Sequence, residues 1–165
     1  MMTSTYKGLI TGICMIAISA GIYYYKGSFQ NNLQYITYAV YIAGITWSLV
    51  DFSRKAGSVR TFKNLFTEGF KCFIVITLLM VAFTWVFLKM NPSMKEEMAV
   101  QYRAELSVQG NYTPAETDNK VNMAKEFFLT GLIAAAIFGY LLIGSIITVI
   151  GSLFLKKDQT AKIKL

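Results

Sequence analysis

The sequence predicts an all-α, polytopic membrane protein with four transmembrane helices and a projecting extracytoplasmic helical hairpin. Of its 165 residues, 55% are hydrophobic and only 15% are charged, whereas charged residues make up about a quarter of a typical soluble domain. The charged positions leave four long uncharged runs of 18, 24, 17 and 29 residues. A helix needs roughly 20 apolar residues to cross a bilayer. Four such runs leave too little polar chain to cover them in water, so a membrane domain is favoured.

The spans can be placed along the chain from these runs. We predict a single membrane domain over residues 1–165, with spans at about 8–25, 33–50, 70–89 and 127–155. The third run is short, but Lys71 and Lys89 can extend their charged ends to the interfaces and complete it. The first run also has the form of a signal peptide with a cleavage site at 18–20. Its continuation into the tyrosines at 23–25 is typical of an interfacial anchor, which favours a retained helix.

A basic linker at 51–69 connects the second and third spans and is predicted to be cytoplasmic. Val59, Phe62, Phe66 and Phe70 recur there at helical spacing. This pattern fits a short helix that lies in the membrane surface. It fits equally well the first turns of the third span, entering from water, and both alternatives remain open from the sequence.

The longest polar segment, 91–126, is predicted to form the extracytoplasmic hairpin. Pro92 begins its first helix and Gly110 ends it. Thr113 and Glu116 then form a capping box that starts a second helix, which can continue unbroken into the last span. One apolar face of the first helix is expected to face a partner, and it consists of Met94, Met98, Tyr102 and Leu106.

The excess positive charge lies on one side of the predicted bundle. If the segments alternate across the membrane, the side with both termini and the linker holds ten basic and three acidic residues, and the other side holds six of each. The positive-inside rule then places both termini in the cytoplasm. The net charge of +7 is therefore a topology signal, and we expect no nucleic-acid partner. Contact with anionic lipid headgroups is predicted for Arg54, Lys55, Arg60, Lys63, Lys156 and Lys157.

Small residues recur at intervals of about four within the first and last spans. No hydrophobic force drives helices together in lipid, so such residues mark close contact between helices. The candidates are Gly8, Gly12, Ala17 and Gly21 in the first span and Gly131, Ala135, Gly139 and Gly144 in the last. They serve either packing inside the bundle, which the sequence favours, or contact with a second protein or a second copy of the chain.

Residue types that carry catalysis are sparse. The chain has no histidine, no ionisable residue in the middle of any span, and no G-x-S-x-G, P-loop or G-x-G-x-x-G motif. Intramembrane ionisable residues mark proton relays and coupled transport, so a proton-coupled carrier is disfavoured. Met90, Met94 and Met98 fit an adaptable apolar face better than a Cu(I) site. We therefore expect no enzyme activity, no metal and no cofactor.

Residues 57–70, GSVRTFKNLFTEGF, resemble a bacterial family, the domain of unknown function numbered 4199. Members share two helices, a basic linker with this motif, a glycine that opens the third span (here Gly69), and a Pro-containing helix start (here Asn91-Pro92). An acidic hairpin and a long Gly-rich last helix follow. The resemblance covers essentially the whole chain. The chain differs from the family pattern at Arg60, which precedes Thr61, and at Asn91, where the family more usually has Asp. It implies a small inner-membrane protein without established activity, encoded beside polyprenyl-phosphate glycosyltransferases, and hence a partner role in envelope glycan assembly.

Three functions remain open from the sequence. The first is a non-catalytic accessory or scaffolding subunit of a larger membrane complex, which the small residues, the sparse chemistry and the hairpin favour. The alternative is a small oligomeric transporter or channel that depends on Gly139 and Gly144. The third is an enzyme on lipid-linked substrates that uses Glu96, Glu97 and Glu105. We expect a multi-pass protein of the bacterial cytoplasmic membrane whose partners are lipid and other integral membrane proteins or itself.

Overall fold

The computed structural model describes residues 2–26, 34–57 and 60–156, and these residues are all-helical with no strand. Within them five helices follow one another: α1 (Ser4–Lys26), α2 (Gln34–Lys55), α3 (Phe62–Met90), α4 (Ser93–Gln109) and α5 (Pro114–Leu155). Four of these, α1, α2, α3 and α5, are long and apolar enough to cross a membrane. The predicted all-helical fold with four long apolar helices is therefore confirmed.

The chain divides into two compact units. The first unit comprises α1, α2, the part of α3 up to Met80, and α5 from Phe138 onwards. The second unit runs from Val81 to Ile137 and comprises the end of α3, all of α4 and the beginning of α5.

Within the first unit, α1 and α3 run parallel. A Cβ at Gly8 would lie 2.6 Å from the Cys72 carbonyl oxygen, and one at Gly12 would lie 2.6 Å from Leu79. Both helices therefore advance in the same direction along their contact. These two glycines let the helix backbones approach closely, as small residues do at helix contacts in membranes.

α2 runs antiparallel to α1 in the same unit. Lys7 near the start of α1 forms an ion pair with Asp51 near the end of α2. One turn further along α1, Thr11 packs against Gly44, which lies earlier in α2. The start of α1 and the end of α2 therefore lie together.

α2 and α5 run parallel in the first unit. The Tyr41 hydroxyl donates a hydrogen bond of 2.8 Å to the Tyr140 carbonyl oxygen, and the two rings meet edge to face at 5.4 Å. Eight residues later, Leu49 lies against Gly151. The helix directions thus bring the N-terminal ends of α1 and α3 and the C-terminal ends of α2 and α5 to one end of this unit, which we call the charged end. Its described charged residues are Lys7, Asp51, Arg54, Lys55, Arg60, Lys63, Glu68, Lys71 and Lys156.

The phenylalanine-containing part of the linker belongs to α3. This helix begins at Phe62 and continues without a break to Met90. The Phe62, Phe66 and Phe70 rings stack along it, with successive centroids 5.9 and 6.1 Å apart. Of the two alternatives for this segment, the structure has the first turns of the third helix. Val59 lies outside the described residues.

The second unit contains the predicted helical hairpin. α4 begins at Ser93, after Pro92, and it ends at Gln109. The next residue, Gly110, has a φ of 67°, the left-handed conformation that favours glycine. At the start of α5, the Thr113 N–H donates to the Glu116 carboxylate at 2.8 Å, and the Glu116 N–H donates to Thr113 Oγ1 at 3.3 Å. This reciprocal pair is the predicted capping box.

Candidate functional site

The charged end of the first unit is built around Lys7. This side chain is only 3% exposed, yet it carries an ammonium group, and that group donates to the Asp51 carboxylate. Lys55, one turn after Asp51, pairs with the same carboxylate at 2.7 Å. Lys7 also lies 5.7 Å from the centroid of the Trp47 ring, within range of a cation–π interaction. A buried lysine needs such partners because an unpaired buried charge is strongly unfavourable.

A second polar tie joins α1 to α3 at the same end. The Ser4 hydroxyl donates a hydrogen bond of 2.5 Å to Glu68, and Lys71 pairs with the other oxygen of Glu68 at 2.8 Å. Together with the Lys7–Asp51 pair, this contact holds the start of α1 against both of its neighbours. The sequence predicted none of these contacts, because pairing across helices depends on which helix faces meet.

The electrostatics of this end keep Asp51 ionised. Lys55 and Lys7 both donate to the Asp51 carboxylate, and these contacts favour its ionised form. Asp51 lies just beyond the predicted second span, at the polar end of α2. One carboxylate shared by two ammonium groups leaves the trio Lys7, Asp51 and Lys55 with one net positive charge.

A recess of about 270 Å³ opens beside this trio. Its polar lining comes from Thr3, Ser4, Lys7, Asp51, Lys55 and Glu68, and its apolar lining comes from Met2, Phe52 and Ala56. The recess therefore combines apolar walls with charged groups at the end of a helix bundle.

The residues predicted to contact anionic lipid lie at this charged end where the structure describes them. Arg54, Lys55, Lys63 and Lys156 are exposed there. Arg60 is half-buried, and its guanidinium donates to the Ser53 hydroxyl at 3.0 Å, so it also fastens the linker to α2. Lys157 lies outside the described residues. Lipid contact itself stays a prediction.

The predicted packing glycines fall into two groups. Gly8, Gly12 and Gly144 pack closely against neighbouring helices of the first unit, and Tyr41 and Phe73 contact Gly144. In contrast, a Cβ at Gly21, Gly131 or Gly139 would have no atom of another described helix within 4 Å. Ala17 and Ala135 are exposed as well.

Three further glycines make close helix contacts that the sequence did not single out. Gly44 packs against Thr11, Gly69 packs against Thr148, and Gly151 packs against Leu49. A Cβ at Gly69 would stand 2.5 Å from the Thr148 side chain. Gly69 and Gly151 have no small residue four positions away in their own helix, so spacing carried no signal for them.

The predicted partner-facing side of α4 is partly used inside the hairpin. Leu106 is only 4% exposed and packs with Ala99 of α4 and Val121 of α5, and Tyr102 packs against this cluster. The expectation that Leu106 faces a partner is therefore wrong, because the residue fills the small core between the two helices. Met94 and Met98 are half-buried, and a partner contact there stays a prediction.

Acidic residues of the hairpin also join its two helices. Glu96 of α4 pairs with Lys125 of α5, and Arg103 Nη1 lies 2.6 Å from Asp118 Oδ1. These pairs are exposed, so each contributes little to stability on its own. They nevertheless engage Glu96, one of the three acids considered for catalysis, in a contact between helices.

Comparison with known proteins identifies the family of this chain. No curated protein and no solved structure matches it. Residues 6–157 match the family described as "Protein of unknown function (DUF4199)". Because this match covers nearly all of the 165 residues, the chain belongs to the domain of unknown function 4199 family.

Proposed function

We propose that this protein is a non-catalytic accessory or scaffolding subunit that binds another integral membrane protein. The observation that carries the proposal is a contrast on α5 between glycines that pack against another helix and open glycines, which no other described helix contacts. A Cβ at Gly144 or Gly151 would collide with side chains of neighbouring helices. A Cβ at Gly131 or Gly139 would have no atom of another described helix within 4 Å.

A glycine inside a helix costs about 1 kcal/mol relative to alanine in water, so open helical glycines call for a reason. In lipid, glycines and alanines four residues apart let a second helix approach closely. Gly131, Ala135 and Gly139 have this spacing, and Phe138 beside them is 74% exposed. A helix of a partner protein is the occupant that the proposal assigns to these positions.

The proposed location is the bacterial cytoplasmic membrane, with both termini in the cytoplasm and the α4–α5 hairpin outside. Its support is the charge of the first unit, whose charged end holds seven basic and two acidic residues among those described. A basic end on the cytoplasmic side agrees with the positive-inside rule. At the other end of α3, Lys89 lies 4.3 Å from the Trp85 ring centroid, as suits an interfacial pair.

The resemblance stated from the sequence suggests what the partner does. It implies a neighbour of the polyprenyl-phosphate glycosyltransferase type, so the proposed complex acts in envelope glycan assembly. The chain itself is proposed to supply membrane contacts rather than catalysis.

The test is affinity purification of the tagged protein from its native membrane in mild detergent, followed by quantitative mass spectrometry. We expect one integral membrane protein to copurify at a constant ratio and to be lost from Gly139→Leu. Gly21→Leu is the matched control, since Gly21 is equally open but lies on α1. A folded protein that purifies alone, or equal loss in both variants, would contradict the proposal.

A second candidate, a small oligomeric transporter or channel, is favoured by one observation. The hydroxyls of Thr148 and Ser152 are fully buried and have no hydrogen-bond partner among the described residues. Unsatisfied hydroxyls inside a bundle are unusual and suit a polar path. This candidate predicts solute flux in liposomes that is lost in Gly144→Leu and altered in Thr148→Val. Absence of flux across a broad panel of solutes would count against it.

A further inference from the structure

The recess at the charged end has the features of a ligand site. It lies between the first residues of α1 and the last turn of α2, and Glu68 of α3 closes one side. Its volume of about 270 Å³ exceeds that of a simple ion site. The charge and polarity of the lining therefore determine which ligand the recess can hold.

The ion pairs at and beside the recess favour an anion. Within the lining, Lys7 and Lys55 balance Asp51 and Glu68, and Lys71 pairs with Glu68 from outside the lining. Both carboxylates are thus paired, and the five groups together carry one net positive charge. Lys55 is the accessible cation of the trio, because its side chain is 45% exposed while that of Lys7 is 3% exposed.

The start of α1 adds to this positive potential. Met2, Thr3 and Ser4 line the recess, and the first turn of α1 contains no acidic residue. The N-terminal end of a helix carries a partial positive charge from its unpaired N–H groups. The Tyr6 N–H donates to Thr3 Oγ1 at 3.3 Å, so Thr3 caps part of this end, and the remaining potential adds to that of the Lys55 ammonium group beside the recess.

The apolar walls distinguish a lipid from a free anion. Met2, Phe52 and Ala56 present hydrocarbon surface next to the charged groups. A free phosphate would gain nothing from these walls, whereas the glycerol and upper acyl carbons of a phospholipid would bury apolar surface there.

We propose that this recess binds one anionic phospholipid, with its phosphate near Lys55 and the start of α1 and its glycerol region against Phe52 and Ala56. The proposal rests on the proposed membrane location but does not require any protein partner. It also differs from a diffuse attraction between the basic end and the anionic leaflet, because it assigns one lipid to one place.

Native mass spectrometry of the purified chain tests this proposal. The protein is titrated in detergent with phosphatidylglycerol, phosphatidylcholine or inorganic phosphate. We expect one phosphatidylglycerol adduct per chain, which phosphatidylcholine and inorganic phosphate neither reproduce nor displace at equal concentration. Lys55→Gln should weaken that adduct about five-fold, since one lysine near an anionic headgroup is worth roughly a factor of five in binding. Lys55→Arg should restore it.

Two further variants distinguish lipid binding in the recess from a general attraction of the basic end for anionic lipid. Lys63→Gln removes the same charge from an exposed position at the same end, outside the recess, and should leave the adduct intact. Ala56→Phe fills the recess without changing the charge and should abolish the adduct. Equal weakening by Lys55→Gln and Lys63→Gln, equal binding of both lipids, or displacement by inorganic phosphate would each overturn the proposal. Circular dichroism and monodispersity confirm that each variant is folded.

Discussion

At the scale of single residues, the glycines of α1 have opposite roles despite their similar spacing. Gly8 stands directly against backbone of α3, at the Cys72 carbonyl oxygen, whereas Gly21 faces open space. Both positions belong to pairs of small residues four apart, a pattern that is visible in a single chain. Their different roles could not be predicted, since the difference lies on the facing helix.

The first prediction concerns these two glycines. Gly8→Ala should destabilise the protein by about 1–3 kcal/mol, because the added methyl group meets a backbone oxygen that cannot rotate away. Gly21→Ala should leave stability unchanged or raise it by up to about 1 kcal/mol. The measurement is the midpoint of unfolding in mixed detergent micelles for each variant. An equal midpoint for the two variants would show that Gly8 does not make this contact.

The second prediction concerns the buried lysine. Lys7→Met should lower the melting temperature more than Lys55→Met, because Lys7 is buried and Lys55 is half-exposed. The double variant Lys7→Met/Asp51→Leu should recover part of the loss, since replacing a whole ion pair by apolar residues is tolerated better than removing one partner. Thermal unfolding in one detergent is measured for the wild-type protein, for the Lys7→Met, Lys55→Met and Asp51→Leu variants, and for the double variant. Additive losses in the double variant would argue against the pair.

At the scale of elements, the helix boundaries of the hairpin were predictable and its internal packing was not. Proline at the start, glycine at the end and a capping box act locally, so Pro92, Gly110 and Thr113 mark these positions in the sequence. The face of α4 that packs on α5 depends on the angle between two helices. For this reason Leu106 was expected to face a partner, although it fills the core of the hairpin.

The third prediction tests that core. Leu106→Ala should destabilise the hairpin by about 2 kcal/mol, because it removes a buried side chain from a cluster with Val121. Val108→Ala is the control, since Val108 is 87% exposed on the same helix. Hydrogen exchange of the α4 amides reports the change locally. Faster exchange in Leu106→Ala only is expected, and equal rates in both variants would refute the packing.

The fourth prediction concerns the capping box at the start of α5. Thr113→Ala should cost about 1 kcal/mol of local stability, as loss of an N-cap does. The Thr113 backbone N–H lowers the pKa of Glu116 below its ordinary value of 4.5. The contribution of Glu116 is therefore fully present above pH 4.5 and is lost as the pH falls further. Amide exchange at pH 7 should detect the Thr113→Ala effect in residues 114–118 and leave α4 unchanged; no effect would contradict the cap.

At the scale of the whole molecule, the composition and the spacing of charges were sufficient to predict the number and order of the apolar helices. Alternation of the segments also predicted that the basic linker and the ends of α1 and α5 share one end of the first unit, as the helix directions show. The recess beside Lys55 could not be predicted, because α1, α2 and α3 form it together. The family match describes its members as proteins of unknown function.

The central claim is that α5 presents a surface to another membrane protein, and site-specific photo-cross-linking in native membranes tests it most directly. A benzophenone amino acid replaces Phe138, which is 74% exposed next to the open Gly139, or Leu78, which is 65% exposed on α3. We expect one discrete adduct with a different integral membrane protein from position 138 and none from position 78. Adducts with lipid alone from both positions, or only an adduct of twice the chain mass, would contradict the account.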